Sequence, residues 1–278
     1  MQKPKYLPVL TIAGSDSGGG AGIQADIKTF EALGCFGASA ITAITAQNTL
    51  GIFAIHSIPA STVKAQIVSV MDDIKPLAIK IGMLYHANTV KCVAETLKKY
   101  PLIPIIFDPV ITASSGDNLN QGEVLSAFKE YLFPIVDLLT PNLSEASQLL
   151  NRKVETLADM EDAAKLLIRD TQLKSVLVKG GHLVGNDLVN FYLHQNGYSQ
   201  AFKYKRINSG NLHGTGCTLS SAIAGYTAQG FTLLAAIEKA GDFVSKAIKA
   251  GQNLRLGEGN GPLCHSFKSK NKNSLKQV

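Results

Sequence analysis

The order of apolar segments along the chain constrains its fold more than any other feature. Short segments rich in apolar and β-branched residues alternate with longer stretches whose apolar residues recur at helical spacing. Several of the short segments are almost continuously apolar, as is typical of parallel strands that are covered on both faces. We predict strands at residues 7–13, 38–46, 52–58, 78–83, 104–107, 136–139 and 175–179.

One stretch, LVNFYLHQNGYSQAFKY at residues 188–204, breaks this alternation. It holds two strand-like runs around Asn196-Gly197, a dipeptide that favours a type I′ hairpin turn. The sequence therefore predicts an α/β fold, with an open, mostly parallel central sheet, helices on both faces and an antiparallel edge hairpin. Because no linker-like segment or repeat interrupts the pattern, residues 1–265 are predicted to form one domain.

The net charge of +6 is unevenly distributed along the chain. Four of these charges belong to lysines within residues 266–278, a segment without acidic residues, so the rest of the chain is close to neutral. A nearly neutral body gives no argument for nucleic-acid binding. We expect the basic tail to be a disordered, solvated end.

Neither a membrane protein nor a secreted one is expected. No apolar run approaches the ~18 residues that a membrane span needs. The apolar stretch that ends at Gly14-Ser15-Asp16 is typical of a first strand rather than of a signal peptide. The cysteines have no CxxC pair and no zinc-site spacing, which fits a protein of the reducing cytoplasm. They are Cys35, Cys92, Cys217 and Cys264.

Polar or glycine residues follow most of the predicted strands. At the ends of the predicted strands, or directly after them, lie the segments TAQNT, KIGML, FDPV, TPNLSEA and VKGGH. The carboxyl ends of parallel strands meet at one edge of a sheet, and ligands of open α/β sheets bind in the crevice there. We therefore expect the functional site at that edge.

The glycine-rich segment AGSDSGGGAGIQAD, residues 13–26, invites comparison with phosphate-binding loops. The triphosphate loop G-x-x-x-x-G-K-[ST] does not fit, because the first lysine after the glycines is Lys28. The dinucleotide fingerprint does not fit either, because residues 39–49 contain no acidic residue. A backbone able to approach a ligand closely remains, and the alternative is a simple strand-turn-helix corner.

A later segment, Gly214-Thr215-Gly216-Cys217, is a better phosphate site. It opens a predicted helix, whose first N–H groups lack acceptors within the helix and whose dipole favours negative charge. A phosphoryl group in transfer could be held there by those N–H groups. The alternative is a helix start of small residues that only allows close packing.

Taken in order, AGSDSGGGAGIQAD, TAQNT, KIGML, DPV, TPNLSEA, VKGGH and HGTGCTLSSAIA resemble the bacterial hydroxymethylpyrimidine/phosphomethylpyrimidine kinases of the ribokinase-like superfamily. The resemblance extends over about residues 9–262. It implies ATP- and Mg²⁺-dependent phosphorylation of hydroxymethylpyrimidine (4-amino-5-hydroxymethyl-2-methylpyrimidine) in thiamine biosynthesis, followed by phosphorylation of the monophosphate. It also implies a homodimer. The alternatives are pyridoxal kinase, a near relative, and a catalytically silent binding protein on the same fold.

The resemblance implies that the glycine-rich segment lies on the substrate side. It assigns to the pyrimidine the residues Gly14, Ala21, Asp26, Gln47, Met83 and Val110. The carboxamide of Gln47 offers an acceptor and a donor that match the edge of an aminopyrimidine, which favours this substrate over pyridoxal. Three alternatives stay open: Gln47 as a turn residue, Asp26 as an acid in the first turn of its helix, and Met83 as part of the core.

For the phosphates and the metal, the resemblance implies roles for further residues. Gly214, Thr215, Gly216 and Cys217 would form the anion site, and Asp108, Lys179 and Cys217 would be catalytic. Lys179 would reach the ATP phosphates as a point charge. Asn142 and Glu145 would lie near ATP, with Asp108 and Glu145 holding Mg²⁺ directly or through water. Asn142-x-x-Glu145 also fits a capping box at a helix start.

Cys217 stands where the wider superfamily usually has an aspartate that acts as the base. A free thiol titrates near ~8.5, and a helix N-terminus is expected to lower that pKa. A Cys217 thiolate could then take the hydroxymethyl proton. We expect it to serve mainly the first phosphorylation, because the second acceptor is an anionic phosphate oxygen. The alternative is a buried, inert cysteine.

We assign no catalytic role to His182 and His213, which flank these predicted sites in the sequence. The sequence does not show whether a lid closes over the substrate, and the candidate segment for one is residues 114–121, which is polar and contains a glycine.

Overall fold

The computed structural model describes residues 5–111, 121–181 and 187–268. Its strands are β1 Pro8–Asp16, β2 Phe36–Asn48, β3 Gly51–Ser57, β4 Ala78–Ile81, β5 Ile105–Phe107, β6 Leu138–Leu139, β7 Ser175–Lys179, β8 Asp187–His194 and β9 Ser199–Lys205. They form one sheet in the order β3-β2-β1-β4-β5-β6-β7-β8-β9. The chain leaves β1 on one side and returns to its other side at β4, so β1 and β4 form the switch point of this open sheet.

The sheet is parallel in its centre and antiparallel at both edges. β1, β2 and β4 to β7 run parallel, and the hairpin of β8 and β9 closes one edge. The predicted hairpin around Asn196-Gly197 is thereby confirmed, but the type I′ turn is wrong. Of the two central residues only Gly197 has a positive φ, of 89°, and four residues separate the strands, whereas a type I′ turn needs positive φ at both residues of a two-residue loop. At the other edge β3 pairs antiparallel with β2, which the sequence analysis had not predicted.

The helices cover both faces of the sheet. They are α1 Gly22–Ala32, α2 Ala60–Asp73, α3 Ala87–Leu97, α4 Gln121–Ala127, α5 Leu143–Leu150, α6 Leu157–Asp170, α7 Thr215–Ala228 and α8 Leu233–Gly251. In β5, Ile105 and Phe107 pack on one apolar core and Ile106 on the other, as the alternation of side chains along a strand requires. The predicted mostly parallel α/β sheet with helices on both faces is confirmed.

Helix α7 lies inside the protein rather than on its surface. Ten of its residues are buried, among them Thr218, Ser220 and Ser221. It packs against α1 and α8 and against the central strands β1, β4 and β5. Most of α7 is therefore part of the protein interior, and its N-terminus lies at the carboxyl ends of the central strands.

Some predictions fall on residues outside the described ranges. The candidate lid at 114–121 and most of the basic tail at 266–278 belong to this group, as does His182. Within the described ranges, none of the helices combines the length and the apolar character that crossing a bilayer requires.

Candidate active site

Two cavities lie on either side of the N-terminus of α7. The small cavity, of about 220 Å³, lies at the ends of β1, β2 and β4. Its lining includes Gly14, Ala21, Gln47, Met83, Val110 and Cys217. The large cavity, of about 390 Å³, lies beside β7, β9 and α8, and its lining includes Asn142, Lys179, Gly214, Thr215 and Gly216. His213 lines both cavities, so the two meet at the start of α7.

The glycine-rich segment wraps around a carboxylate of the protein itself. The backbone N–H groups of Gly18, Gly20 and Ala21 donate to Asp16 at 2.8, 3.1 and 2.8 Å. Burial alone would raise the pKa of Asp16, but hydrogen bonds from His213 and from these amides hold it below its usual value. Because these N–H groups already donate to Asp16, they are not free to bind a phosphate. This agrees with the failure of the sequence to match the triphosphate loop or the dinucleotide fingerprint.

Glycine is required where this loop meets α7. Gly214, the N-cap of α7, has a φ of 84°, and a side chain there would collide with the carbonyl oxygen of Gly20. At Gly20, a Cβ would in turn collide with the ring of His213. The absence of side chains at both positions lets the loop after β1 touch the start of α7.

Gln47 lies at the end of β2 in a small polar network. Its Nε2 is 3.3 Å from Nε2 of His213, which is 3.0 Å from Oδ2 of Asp16. Its Oε1 is 3.1 Å from the hydroxyl oxygen of Thr45. The sequence analysis gave His213 no role, because an isolated histidine carries no signal. Its position directly before Gly214 was the available clue.

Asp26 does not line the small cavity. Its side chain is completely buried in α1 and accepts two hydrogen bonds of 2.9 Å from Lys80. Thr11 and Ser221 also donate to it, at 2.6 and 2.7 Å. The expectation that Asp26 stands near the hydroxymethyl group stays a prediction. Lys80, which Asp26 holds, does line the small cavity, so Asp26 would act on a ligand there through Lys80. The alternative of a first-turn acid does not fit, because Asp26 lies in the second turn of α1.

Lys80 was missed because it lies within a strand that otherwise reads as apolar. It is fully buried in β4, yet it lines the small cavity. Burial favours the neutral amine, but Asp26 raises the pKa of Lys80 above its usual value. A buried lysine needs such a partner, so a lysine within the segment AIKIG was a signal for a buried ion pair.

Cys217 lies at the third position of α7, with its side chain against the small cavity. The N–H group of Gly22 forms a hydrogen bond with its sulfur. Burial raises the pKa of the thiol to about 11, which Lys80 opposes and Asp26 and Asp108 reinforce. The expected lowering of this pKa is therefore wrong for the ligand-free protein, because loss of water around the sulfur outweighs the favourable charges.

Lys179 joins two carboxylates at the ends of β5, β6 and β7. Its Nζ donates to Oδ1 of Asp108 at 2.6 Å and lies 3.7 Å from Oε2 of Glu145. Burial would lower the pKa of Lys179, but Asp108 and Glu145 raise it. Burial raises the pKa of Glu145 to about 7, opposed by Lys179 and reinforced by Asp108. The structure thus brings together three residues that lie far apart in sequence.

Asn142 and Glu145 also form the capping box that was the alternative interpretation. Asn142 Oδ1 accepts from the N–H of Glu145 at 2.8 Å, and Glu145 Oε2 accepts from the N–H of Asn142 at 2.6 Å. Glu145 is at the same time within 3.7 Å of Lys179, and Asn142 lines the large cavity. The structural role and the position near the site therefore coexist.

The first turn of α7 lies beside the Lys179–Asp108 pair. A Cβ on Gly216 would lie 3.3 Å from Nζ of Lys179 and 3.4 Å from Oδ2 of Asp108. Gly216 and Cys217 occupy the second and third helical positions, where N–H groups have no acceptor within the helix. An anion at this point would meet two N–H groups, the helix dipole and the Lys179 ammonium.

Magnesium fits the chemistry of this cluster. Among the described residues, no group of three or more His, Cys, Asp or Glu side chains is suited to hold a metal. Asp108 and Glu145 nevertheless supply two carboxylates on either side of Lys179. Mg²⁺ commonly binds one or two carboxylates and takes its other ligands from phosphates and water.

The large cavity has an apolar wall for which the sequence offered no motif. Its members come from β8, from the segment between β9 and α7, and from α7 and α8, and they are Leu188, Ile207, Leu219, Val244 and Ile248. Apolar walls with a few polar groups at one end are typical of sites for planar ligands.

Comparison with known proteins agrees with this architecture. A sequence profile described as phosphomethylpyrimidine kinase matches residues 16–264. The hydroxymethylpyrimidine/phosphomethylpyrimidine kinase of Haemophilus influenzae is 43% identical over 260 residues, which are 92% of this chain and 96% of that protein. A probable thiamine biosynthetic bifunctional enzyme of Oryza sativa subsp. japonica is 42% identical over 265 residues, 94% of this chain; the match spans 48% of that longer protein.

Among solved structures, the ADP complex of Bacillus subtilis pyridoxal kinase is similar, with a TM-score of 0.87 and 33% sequence identity. The match covers 96% of this chain and 100% of that one. This likeness confirms the predicted ribokinase-like fold. On the extent of the profile match and the sequence identities, the chain belongs to the phosphomethylpyrimidine kinase family, a family of small-molecule kinases.

Proposed function

We propose that this protein phosphorylates hydroxymethylpyrimidine to its monophosphate and then to its diphosphate, with ATP as donor, in thiamine biosynthesis. One observation carries the proposal: a small cavity with the Gln47 carboxamide and a large cavity with an apolar wall meet at the N-terminus of α7. The pyrimidine would occupy the small cavity and the nucleotide the large one. The phosphoryl group would then pass from the nucleotide to the pyrimidine beside the N–H groups of Gly216 and Cys217.

The chain's own residues would bind and stabilise the transferring group. The N–H groups of Gly216 and Cys217 and the ammonium of Lys179 would stabilise negative charge on the equatorial oxygens. The closeness of Gly216 to Lys179 supports this role. Asp108 and Glu145 would hold Mg²⁺, which supplies charge neutralisation of the ATP phosphates. Asn142 would lie beside the same phosphates.

Cys217 is retained as the candidate base of the first phosphorylation. With a thiol pKa of about 11, it is protonated at neutral pH before ligands bind. A loose phosphoryl-transfer transition state needs the proton removed only late. The second acceptor, a phosphate monoester, is already anionic and needs no base. Cys217→Ala should therefore slow the first step more than the second.

We further propose a cytoplasmic homodimer. The four cysteines are unpaired, which supports a reducing compartment. Exposed apolar side chains on the β2–β3 edge, including Ile44, Ile52 and Phe53, support association. Light scattering coupled to size-exclusion chromatography measures the assembly state directly.

Mass spectrometry of the products tests the main proposal. The purified protein is incubated with Mg-ATP and hydroxymethylpyrimidine, beside a matched sample with pyridoxal. Monophosphate followed by diphosphate from the pyrimidine, with little product from pyridoxal, is the expected outcome. Phosphate on pyridoxal alone would replace the proposal by pyridoxal kinase activity.

A further inference from the structure

The hydrogen bonds around Gln47 contain a mismatch that specifies how its amide must point. Asp16 is ionised, because its pKa lies below the usual value, and it can only accept hydrogen bonds. His213 Nε2, 3.0 Å from Asp16 Oδ2, must therefore carry a proton. A ring nitrogen that carries a proton has no free lone pair. Nε2 of Gln47, 3.3 Å away, is a donor as well, so two donors face each other.

At the other end of the same carboxamide, the hydroxyl of Thr45 has two possible acceptors. The hydroxyl oxygen of Thr45 lies 3.0 Å from the carbonyl oxygen of Ser15 and 3.1 Å from Oε1 of Gln47. A threonine hydroxyl has one proton, so it can donate to only one of these two oxygens. When the proton goes to Ser15, the Thr45 oxygen becomes an acceptor that requires a donor from Gln47.

A half-turn of the carboxamide removes the donor–donor contact and lets the Thr45 hydroxyl donate to Ser15 while it accepts from Gln47. Oε1 then accepts from His213 Nε2–H, and Gln47 Nε2–H donates to the Thr45 hydroxyl. We propose that His213, held by Asp16, and Thr45, held by Ser15, select this orientation of Gln47 and thereby determine how the pyrimidine enters the small cavity. This inference rests on the proposed function, and it makes His213 and Thr45 positioning residues for substrate recognition.

The selected orientation has a direct consequence for the reacting group. An aminopyrimidine pairs with the carboxamide through its amino donor and the adjacent ring nitrogen. With Oε1 on the His213 side, the amino group lies on that side and the ring nitrogen on the Thr45 side. In hydroxymethylpyrimidine the hydroxymethyl carbon is attached next to the amino-bearing carbon. The hydroxyl to be phosphorylated therefore points towards His213 and the start of α7, whereas the opposite amide orientation would point it away.

Three variants and two substrates test the inference. The variants are His213→Leu, which cannot donate, His213→Gln, whose amide nitrogen can replace Nε2–H, and Thr45→Val, which keeps the shape of the side chain. The substrates are hydroxymethylpyrimidine and its analogue without the 4-amino group. For each pair, kcat/KM with Mg-ATP and the affinity by calorimetry are measured. His56→Gln, on an exposed part of β3, serves as the matched control.

The preference for the amino-bearing substrate is the decisive quantity. We expect His213→Leu and Thr45→Val to lower this preference by about 10- to 100-fold, the effect of one unpaired polar group. His213→Gln should retain it. General damage to the fold or to nucleotide binding would slow both substrates equally and leave the preference unchanged. That result, with circular dichroism showing folded protein, would overturn the inference.

Failure of the proposed function would look different. If the unaltered protein formed no product from hydroxymethylpyrimidine, the calorimetric preference would still report on the amide. A loss of that preference in His213→Leu would support the inference, and an unchanged preference would reject it.

Discussion

The buried pair of Asp26 and Lys80 gives the sharpest stability prediction. Lys80→Met removes the ammonium that makes two hydrogen bonds of 2.9 Å to Asp26, and both side chains are completely buried. The carboxylate then keeps only the hydroxyls of Thr11 and Ser221. Breaking one partner of such a pair costs about 3–5 kcal/mol, because an uncompensated charge stays buried. At about 2–4 °C per kcal/mol, a loss of 4 kcal/mol lowers Tm by about 8–16 °C.

Urea unfolding monitored by circular dichroism, together with scanning calorimetry, measures both quantities. The double variant Asp26→Asn/Lys80→Met removes both charges and should recover most of the loss. Lys205→Met is the matched surface control, because Lys205 pairs with Asp187 at 2.7 Å but is largely exposed. It should cost at most about 1 kcal/mol.

The comparison between single and double variants decides the matter. If Lys80→Met is as stable as the surface control, or if the double variant is no more stable than Lys80→Met, the carboxylate does not depend on Lys80. The reasoning about the buried charge would then be refuted.

Two further predictions concern titrating groups. Burial raises the pKa of the Cys217 thiol to about 11. Cys217 should therefore react slowly with iodoacetamide near pH 8, and its reaction rate should rise about tenfold per pH unit up to pH 10. Peptide mass spectrometry measures this rate, and a rate that no longer increases above pH 8 would contradict the prediction. Burial, with a smaller contribution from Lys28, lowers the pKa of His265 from 6.5 to about 4. Between these two pH values His265 is protonated in the unfolded chain but not in the folded protein. The contribution of neutral His265 to stability is therefore complete above pH 6.5 and is lost as pH falls towards 4, by up to about 3 kcal/mol. His265→Gln should flatten the unfolding free energy over that pH window, and an unchanged slope would count against the assignment.

The arrangement of the central sheet could be predicted because its signals are local. Each parallel strand is an apolar run, and the β8–β9 turn has the dipeptide Asn196-Gly197. The antiparallel pairing of β3 could not be predicted in the same way, since the turn after β2 contains Thr49 and Leu50, which carry no hairpin signal. That turn is stabilised by residues far along the sequence. The N–H of Gly259 donates to the hydroxyl of Thr49 at 3.2 Å, and the N–H of Asn260 donates to the carbonyl oxygen of Thr49 at 3.1 Å.

The same distinction between local signals and contacts with distant residues applies to the candidate site. Asp108 directly follows β5 and Lys179 ends β7, so the rule that the ends of parallel strands converge was enough to place them together. Nζ of Lys179 and Oδ1 of Asp108 lie 2.6 Å apart. Lys80 interrupts an apolar strand, and its significance depends on Asp26, 54 positions earlier. The pKa of Cys217 depends on how much water the fold removes from the sulfur, which the helix N-terminus alone does not reveal.

Helix α7 explains why these separate pairs form one site. Gly216 lies against the Lys179–Asp108 pair. Ser220 and Ser221 follow on the same helix, and they donate to Asp108 at 3.4 Å and to Asp26 at 2.7 Å. His213, which precedes the N-cap Gly214, contacts Asp16. Each carboxylate thus holds a basic group near a cavity, and each is bonded to α7 or to the residue before its N-cap. These contacts tie the basic groups to the helix whose first N–H groups lack acceptors. An anionic ligand at this point would therefore meet the Lys80 and Lys179 ammonium groups, while each of the three aspartates has a basic partner.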